Sequence, residues 1–269
     1  MSLQYHLKIQ EGDVAPYVLL PGDPKRVPIV ASFWDEAHFV ADNREHVTYT
    51  GVYKGVPISC TSTGMGCPST AIAMEELARC GVKNFIRIGT CGTFQDYVKK
   101  GDIQIFDSAC RYDGTSYHYA PGPFPAVADH EVIEACIAAA KGMNKPYHVG
   151  TTRTQDTFYA NYPDPGSSFN GFWQSRWKEF YPDLKRLNVM GGEMETSIVL
   201  VLTRIWGLRG GAMAVTLDNI IESQEDEQGG REYEPEKALD HSEDNIKTLS
   251  LLGCEAIKKL YELDQASKG

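Results

Sequence analysis

Arg87 is the residue whose place in this 269-residue chain most needs a chemical explanation. It lies inside the apolar run Phe85-Ile86-Arg87-Ile88, which reads as a buried strand. A guanidinium there must either pair with a core carboxylate or meet an anion. Gly89-Thr90 and Gly92-Thr93 follow directly, and such small residues let backbone amides and hydroxyls approach a ligand. Ligands of open α/β sheets bind just beyond the carboxyl ends of strands, so a core ion pair and an anion site both stand as readings. Arg26 follows the strand-to-helix turn Pro21-Gly22-Asp23-Pro24, and Arg44 stands at the entrance of a hairpin. With Gly22, Thr90 and the helix starts, these three arginines suit a phosphate, because the planar guanidinium fork meets its oxygens bidentately. Glu193-Met194-Glu195 is the acidic counterpart. In an extended segment both carboxylates share a face, and Glu195 becomes an acceptor for a vicinal diol. If the next helix starts earlier they diverge, and capping of that helix is the other reading. Phe158 and Tyr159 offer rings for a flat base.

The elements that must position these residues follow from pattern. Tyr17 to Leu20 reads as a buried strand, with Asp23 capping a helix that Pro24 opens. Glu45 to Tyr53 and Val56 to Thr61 read as a hairpin around Lys54-Gly55. The Gly-rich turn from Ser62 to Thr70, which includes Met65, leads into a helix stopped at Gly81. Asp102 to Arg111, His148 to Thr154 and Gly211 to Leu217 read as strands. Asp129 to Gly142, Ser197 to Trp206 and Glu236 to Leu263 read as helices, and Phe169 to Leu187 as a lid helix or a packed surface helix. The stretch from Tyr112 to Pro125 reads as a functional or subunit-contact loop, and Gln224 to Tyr233 as a mobile one. Strands alternating with helices, with a hairpin among them, predict an α/β fold with a central mixed sheet flanked by helices.

Composition excludes several classes. A net charge of -10 argues against binding nucleic acid through its phosphates, though local arginines still admit a small anion. Seven cysteines without a C-x-x-C pair fit reduced thiols rather than a disulfide framework. No signal peptide and no membrane-spanning apolar run is visible, so the cytoplasm is the expected address and no membrane partner is expected. No metal-ligand cluster and no Ser-His-Asp spacing is present.

Phosphate, sugar and base sites together describe phosphorolysis of a nucleoside, which needs no metal or redox cofactor, only inorganic phosphate as co-substrate. At this point the chain resembles the hexameric nucleoside phosphorylases. Pro21-Gly22-Asp23-Pro24-x-Arg26, Arg87-Ile88-Gly89-Thr90 and Glu193-Met194-Glu195 look like that family's phosphate and ribose motifs. Arg111-x-Asp113-Gly114-x-Ser116-x-His118-x-Ala120-Pro121 and Phe124-Pro125-Ala126-Val127-Ala128-Asp129 look like its uridine phosphorylase branch. The resemblance implies a single α/β domain over 1–269 and a homo-oligomer in which a dimer forms the site, assembled as a hexamer. It assigns phosphate to Gly22, Arg26, Arg87 and Thr90, with Arg44 from a neighbouring subunit. It assigns ribose to Met65, Thr90, Glu193, Met194 and Glu195, with His6 reaching across to the 5′-hydroxyl. Arg87, Glu195 and Asp218 are the expected catalytic residues.

The departures fall in the base pocket. Where uridine phosphorylases carry a Gln and an Arg after the Phe-Tyr pair, this chain has Tyr162 and Asp164. Where they carry Asn-Arg after the late strand, it has Asn219-Ile220. Counting from Glu195, Asp218 falls where purine-cleaving relatives carry an acid that protonates the base. The base set is therefore Phe158, Tyr159, Tyr162, Asp164, Asp218 and Asn219. Uridine, and with it deoxyuridine, is the favoured substrate, and a purine nucleoside with Asp218 as general acid is the alternative. A nucleosidase and a non-catalytic nucleoside-binding protein are the remaining readings.

Overall fold

The computed structural model describes residues 2–162, 166–221 and 243–267. The expected loop from Gln224 to Tyr233, the start of the helix expected from Glu236, and Asp164 lie outside them. The non-alternating apolar runs become the parallel centre of a ten-stranded mixed sheet. Here β1 (Tyr17–Leu20), β4 (Val56–Thr61), β5 (Asn84–Thr93) and β10 (Arg209–Asn219) lie side by side in the order β4-β1-β5-β10. Strands covered on both faces by helices have no solvated side to alternate toward. On one flank β3 (His46–Tyr53) and β2 (Glu36–Asn43) continue the sheet antiparallel. Lys54 and Gly55, with φ of 47° and 79°, make the expected two-residue hairpin turn. The sequence reading has no strand at β2. That strand is an edge with only Ala41 buried, so it carries no apolar period to read.

On the other flank the sheet curls. β6 (Ile103–Tyr112) runs antiparallel to β10 and carries the two-residue β7 (Ala126–Val127), and β8 (Tyr147–Gln155) runs parallel to β6. The three-residue β9 (Gly191–Glu193) then pairs with both β8 and the end of β5, closing a ring β5-β10-β6-β8-β9. A Cβ on Gly191 would stand 2.4 Å from the carbonyl oxygen of Gly92, and one on Gly192 would stand 2.9 Å from the Phe94 ring. At Gly191 the clash would be with backbone, so the ring closes there only on a glycine.

Side-chain alternation sorts the core. Leu19, Ile86, Ile88 and Met213 pack beneath α1 (Arg26–Ala31), α4 (His130–Gly142) and α7 (Glu243–Ala266). Val18, Leu20 and Phe85 pack beneath α2 (Cys67–Arg79) and α6 (Thr196–Trp206), together with Leu7 and Ile9 of the N-terminal arm. Arg87, two residues on from Phe85, therefore falls on the α2/α6 side. Asp129 caps α4 as expected, accepting from the Glu131 amide at 3.0 Å. α1 begins at Arg26 rather than at Pro24. Asp23 instead accepts from the Lys25 amide in the preceding turn. The expected 112–125 loop contains the short α3 (Thr115–Tyr119). The expected Phe169–Leu187 helix is a 3₁₀ turn (Phe169–Gly171) followed by α5 (Trp177–Arg186). Among the described residues no helix is long and apolar enough to cross a membrane.

Candidate active site

Four parallel strands end on one edge, and the turns after β1, β4 and β5 meet there. The Gly64 amide donates to the Gly22 carbonyl at 3.0 Å and the Thr63 amide to that of Pro21 at 2.9 Å, so the turns after β1 and β4 are zipped together. Arg87 is buried at the centre. Its Nε donates to Glu193 Oε2 at 3.0 Å, and its Nη2 lies 2.5 Å from Glu195 Oε2. The guanidinium folds along its own strand, and a Cβ on Gly89 would meet Nη2 at 2.6 Å. Both readings of the Glu193-Met194-Glu195 pair come together here. Both carboxylates face Arg87, and Glu193 Oε2 also accepts the amides of Glu195 and Thr196 at 2.8 Å, tying down the start of α6. Glu193 Oε1 accepts from Thr154 Oγ1 at 2.5 Å, so every acceptor of this carboxylate is engaged inside the protein. Glu195 Oε1 accepts the Gly66 amide at 2.6 Å, at the start of α2.

Burial pushes the Glu195 carboxyl up, and Glu193 beside it adds to that, against the pull of Arg87. Burial pulls Arg87 down, but Glu195 and Glu193 outweigh it and hold the guanidinium charged above its ordinary range. Arg26 lies close enough to feel Asp23, Arg87 and Glu195. Burial lowers it, and among the described residues it has no ion-pair partner. A half-buried cation beside a second cation, with the half-buried Thr90 and Gly22 adjoining, is an arrangement that takes an anion.

The surrounding network was not read from the sequence. Thr154 Oγ1 also accepts the Ser197 amide at 2.9 Å, Ser197 Oγ donates to Asp113 Oδ1 at 2.6 Å, and Asp113 holds the Ser116 amide at 2.6 Å. Arg111 completes the chain, donating to Ser116 Oγ and to the carbonyls of Ala120, Pro121 and Phe124. The Arg-x-Asp-Gly-x-Ser stretch thus fastens the 112–125 segment to the start of α6.

The base-side residues lie along the ring closure. Phe158 is half exposed and stacks on buried Tyr162, with centroids 6.2 Å apart and planes at 24°, while Tyr159 lies edge-on to Phe158. Asp218 is 3% exposed and follows a bulge in β10. Burial pushes its carboxyl up to about 6, although Lys100 and the nearby Tyr162 hydroxyl pull the other way. Asn219 Oδ1 accepts the Ile221 amide at 3.1 Å. Met194 is half-buried near Glu195, and Met65 is exposed at the tip of the turn after β4. Two assigned residues make no contact with Arg87, Glu193 or Glu195. Arg44 is exposed at the β2–β3 turn with φ of 57°. His6 Nδ1 lies 2.8 Å from Glu76, nine residues along α2 from its first residue and so about 13 Å from that helix start.

A further residue carries no expectation from the sequence. Arg153 in β8 is 1% exposed, and among the described residues it makes no hydrogen bond or ion pair; Nε and Nη1 are fully buried. Its guanidinium lies 5.5, 5.5 and 5.1 Å from the ring centroids of Phe94, Phe180 and Tyr181. Such contacts give about 0.5–2 kcal/mol each. Desolvating the ion costs several kcal/mol, so the rings leave the charge undercompensated. The signal that singled out Arg87, an arginine within a strand, was present here too. Among the described residues no group of three or more His, Cys, Asp or Glu is placed to hold a metal ion.

Comparison with known proteins agrees with this geometry. The model of the phosphorylase superfamily matches residues 16–258. The uridine phosphorylase of Thermococcus kodakarensis is 43% identical over 264 residues, covering 98% of this chain and 89% of that one. The guanosine phosphorylase of Halorubrum lacusprofundi is 36% identical over 92% of this chain and 96% of its own. The uridine phosphorylase of Escherichia coli is 37% identical over 80% and 85%. The crystal structure of uridine phosphorylase from Vibrio fischeri superposes with a TM-score of 0.79 at 27% identity, covering 97% of this chain and 98% of that one. Arg87, clasped by the Glu193 and Glu195 carboxylates, is thus framed by a fold and a sequence shared over nearly the full length, and the chain belongs to the phosphorylase superfamily.

Proposed function

We propose that the protein is a nucleoside phosphorylase that cleaves uridine, and deoxyuridine with it, using inorganic phosphate and releasing free base and (deoxy)ribose 1-phosphate. The observation that carries this reading is Arg87, held by both Glu193 and Glu195 beside Arg26, which has no ion-pair partner among the described residues. Phosphate binds between Arg26 and Arg87, over Gly22 and Thr90, with Arg44 of the partner subunit closing the site. It competes with Glu195 for Arg87 and so releases a carboxylate oxygen to the ribose diol. Met65 and Met194 flank the sugar, and His6 of the partner subunit takes the 5′-hydroxyl. Glu193, its acceptors already engaged, holds Arg87 and the start of α6 in place. A phosphate oxygen bonds to C1′ as the bond from C1′ to the base nitrogen breaks. The base takes that electron pair and then a proton. Positioning and charge stabilisation supply the rate, and the reaction calls for no other cofactor.

Phe158, Tyr159 and Tyr162 form the stacking side of the base site, and Asp218 and Asn219 its edge. A purine substrate is the second reading. Asp218, with its carboxyl raised to about 6, favours it as a general acid near neutrality, and so does the guanosine phosphorylase relative. Product analysis on uridine, deoxyuridine, inosine, guanosine and adenosine, with and without phosphate, tests both. Ribose 1-phosphate formed only with phosphate supports phosphorolysis. Free ribose at equal rate without phosphate means a nucleosidase, and binding without turnover means a nucleoside-binding protein.

The assembly in this reading is a dimer as the site-forming unit, within a hexamer, with the exposed Arg44 and the N-terminal arm carrying His6 offered to a neighbouring subunit. An Arg44→Ala chain mixed with an Arg87→Ala chain regains activity in hybrid dimers, whereas a fully active monomer in sedimentation rules the assembly out. A cytoplasmic address is supported by seven cysteines that are all free thiols.

A further inference from the structure

Gly92 of β5 and Gly192 of β9 are direct antiparallel partners, so their missing side chains would share one face about 5 Å apart. A Cβ on Gly92 would stand 2.9 Å from Asp218 Oδ1, and one on Gly192 would stand 3.1 Å from Arg153 Nη2. Arg153 and Asp218 therefore flank one glycine-floored stretch and lie no more than about 11 Å apart. Gly192 directly precedes Glu193, whose carboxylate holds Arg87, so this stretch adjoins the phosphate and ribose end. Phe94 and Ile220 line it, and Tyr162, which stacks on Phe158 and lies near Asp218, stands beside it. Arg153 is thus a buried cation, its Nη2 on the Gly192 face of this stretch, with no acceptor among the described residues.

We propose that Arg153 is the base-reading residue of this enzyme, donating hydrogen bonds from its guanidinium to the 4-carbonyl oxygen of uracil or the 6-carbonyl oxygen of a 6-oxopurine. This rests on the phosphorolysis reading above. A guanidinium only donates, so it pairs with a carbonyl and meets the exocyclic amine of cytosine or adenine donor to donor. As phosphate bonds to C1′, the electron pair of the breaking bond passes into the base ring and onto that carbonyl oxygen. Arg153 then faces a growing negative charge until the base takes its proton. The aromatic walls exclude water, which strengthens the pairing. The arrangement supplies a cation that the segment after Phe158-Tyr159 lacks, because it comes from within β8 instead of from the following loop.

The test uses the full-length protein, with Arg153→Met and Arg153→Lys, assayed on uridine, cytidine, inosine and adenosine at saturating phosphate. Wild type should favour an oxo-nucleoside over its amino counterpart. Arg153→Met should lower kcat/KM for that substrate about ten- to a hundred-fold. It should leave the KM for phosphate within twofold, barely move the amino-nucleosides, and melt no lower than wild type. Arg153→Lys, which keeps the charge but not the fork, should fall between. Equal losses on all four nucleosides, an unchanged oxo preference, or a matching rise in the KM for phosphate would overturn the proposal. Calorimetric titration of wild type with uracil against cytosine, and hypoxanthine against adenine, decides the point if Arg153→Met does not fold. Equal affinities there would also overturn it. If wild type shows no phosphate-dependent cleavage at all, the phosphorolysis reading fails, and the same titration still judges Arg153 separately.

Discussion

The two ends of the site are built on different terms. At the end proposed for phosphate and ribose the side chains sit where strands stop and helices start, and Arg87, Glu193 and Glu195 are matched within the protein while Arg26 is not. Arg87, Glu193, Glu195, Thr154, Ser197 and Asp113 form one connected network. At the base end the stacking rings come from the loop after β8, and the two ionisable groups, Asp218 and Arg153, are buried with little to balance their charge. The first end is preorganised for a chemistry that does not change. In the second, Arg153 pairs with no acceptor among the described residues. Rigid elements suit positioning, and loop-borne groups suit selection among substrates.

The sharpest break in that contrast is Arg87→Ala. It strands two buried carboxylates, so stability should fall by about 3–5 kcal/mol, read by denaturant unfolding. Phosphorolysis should fall by more than about a hundred-fold. A variant that stays as stable as wild type would show that the network is not holding the site.

Asp218→Asn probes the other end in the opposite sense. The folded state holds the Asp218 proton up to about pH 6, against an ordinary value of 3.8. Below about pH 4 the carboxyl is protonated in both states. As pH rises from 4 to 6 the unfolded chain ionises first, so stability falls, by roughly 3 kcal/mol in all. The Asn variant should therefore match wild type near pH 4 and exceed it above pH 6. Its uridine turnover should change little. On a purine nucleoside it should lose about 10²–10⁴-fold, as for a general acid. A stability gap that does not grow with pH would mean that Asp218 is not held protonated.

Arg26→Ala sharpens the contrast from within the first end. Arg26 has no ion pair to lose, so stability should move by no more than about 0.5 kcal/mol. The KM for phosphate should rise roughly ten- to a hundred-fold. A large stability loss with an unmoved phosphate KM would make it a structural residue. Thr154→Val is the mildest change, removing one hydroxyl between Glu193 and the Ser197 amide. It should cost about 1–1.5 kcal/mol in thermal unfolding with only a small loss of rate.

What could be read in advance follows the same division. Gly22-Asp23-Pro24, Arg87-Ile88-Gly89-Thr90 and Glu193-Met194-Glu195 are short stretches whose meaning depends on immediate neighbours, and the fold places them together. The parallel centre was legible because fully covered strands carry unbroken apolar runs. β2 was not, because its exposed edge has no such run. Closure of the ring was not legible either, since it depends on Gly191 and Gly192 meeting strands far away in the chain. Arg153 went unread inside the His148 to Thr154 run because only the folded ring shows that, among the described residues, no acceptor pairs with it.

The three residues of β9 are the thinnest seam in the ring, held by two paired positions on β5 and three on β8. Their amide protons should exchange with solvent through a local opening rather than through unfolding of the whole chain. Opening that seam would release Glu193, and with it Arg87, so the open form would be without a working site. Ligands that need the closed form should therefore slow the exchange at Gly191, Gly192 and Glu193. At a hundred times the dissociation constant the protection should reach about a hundred-fold, making these three amides a direct gauge of site occupancy.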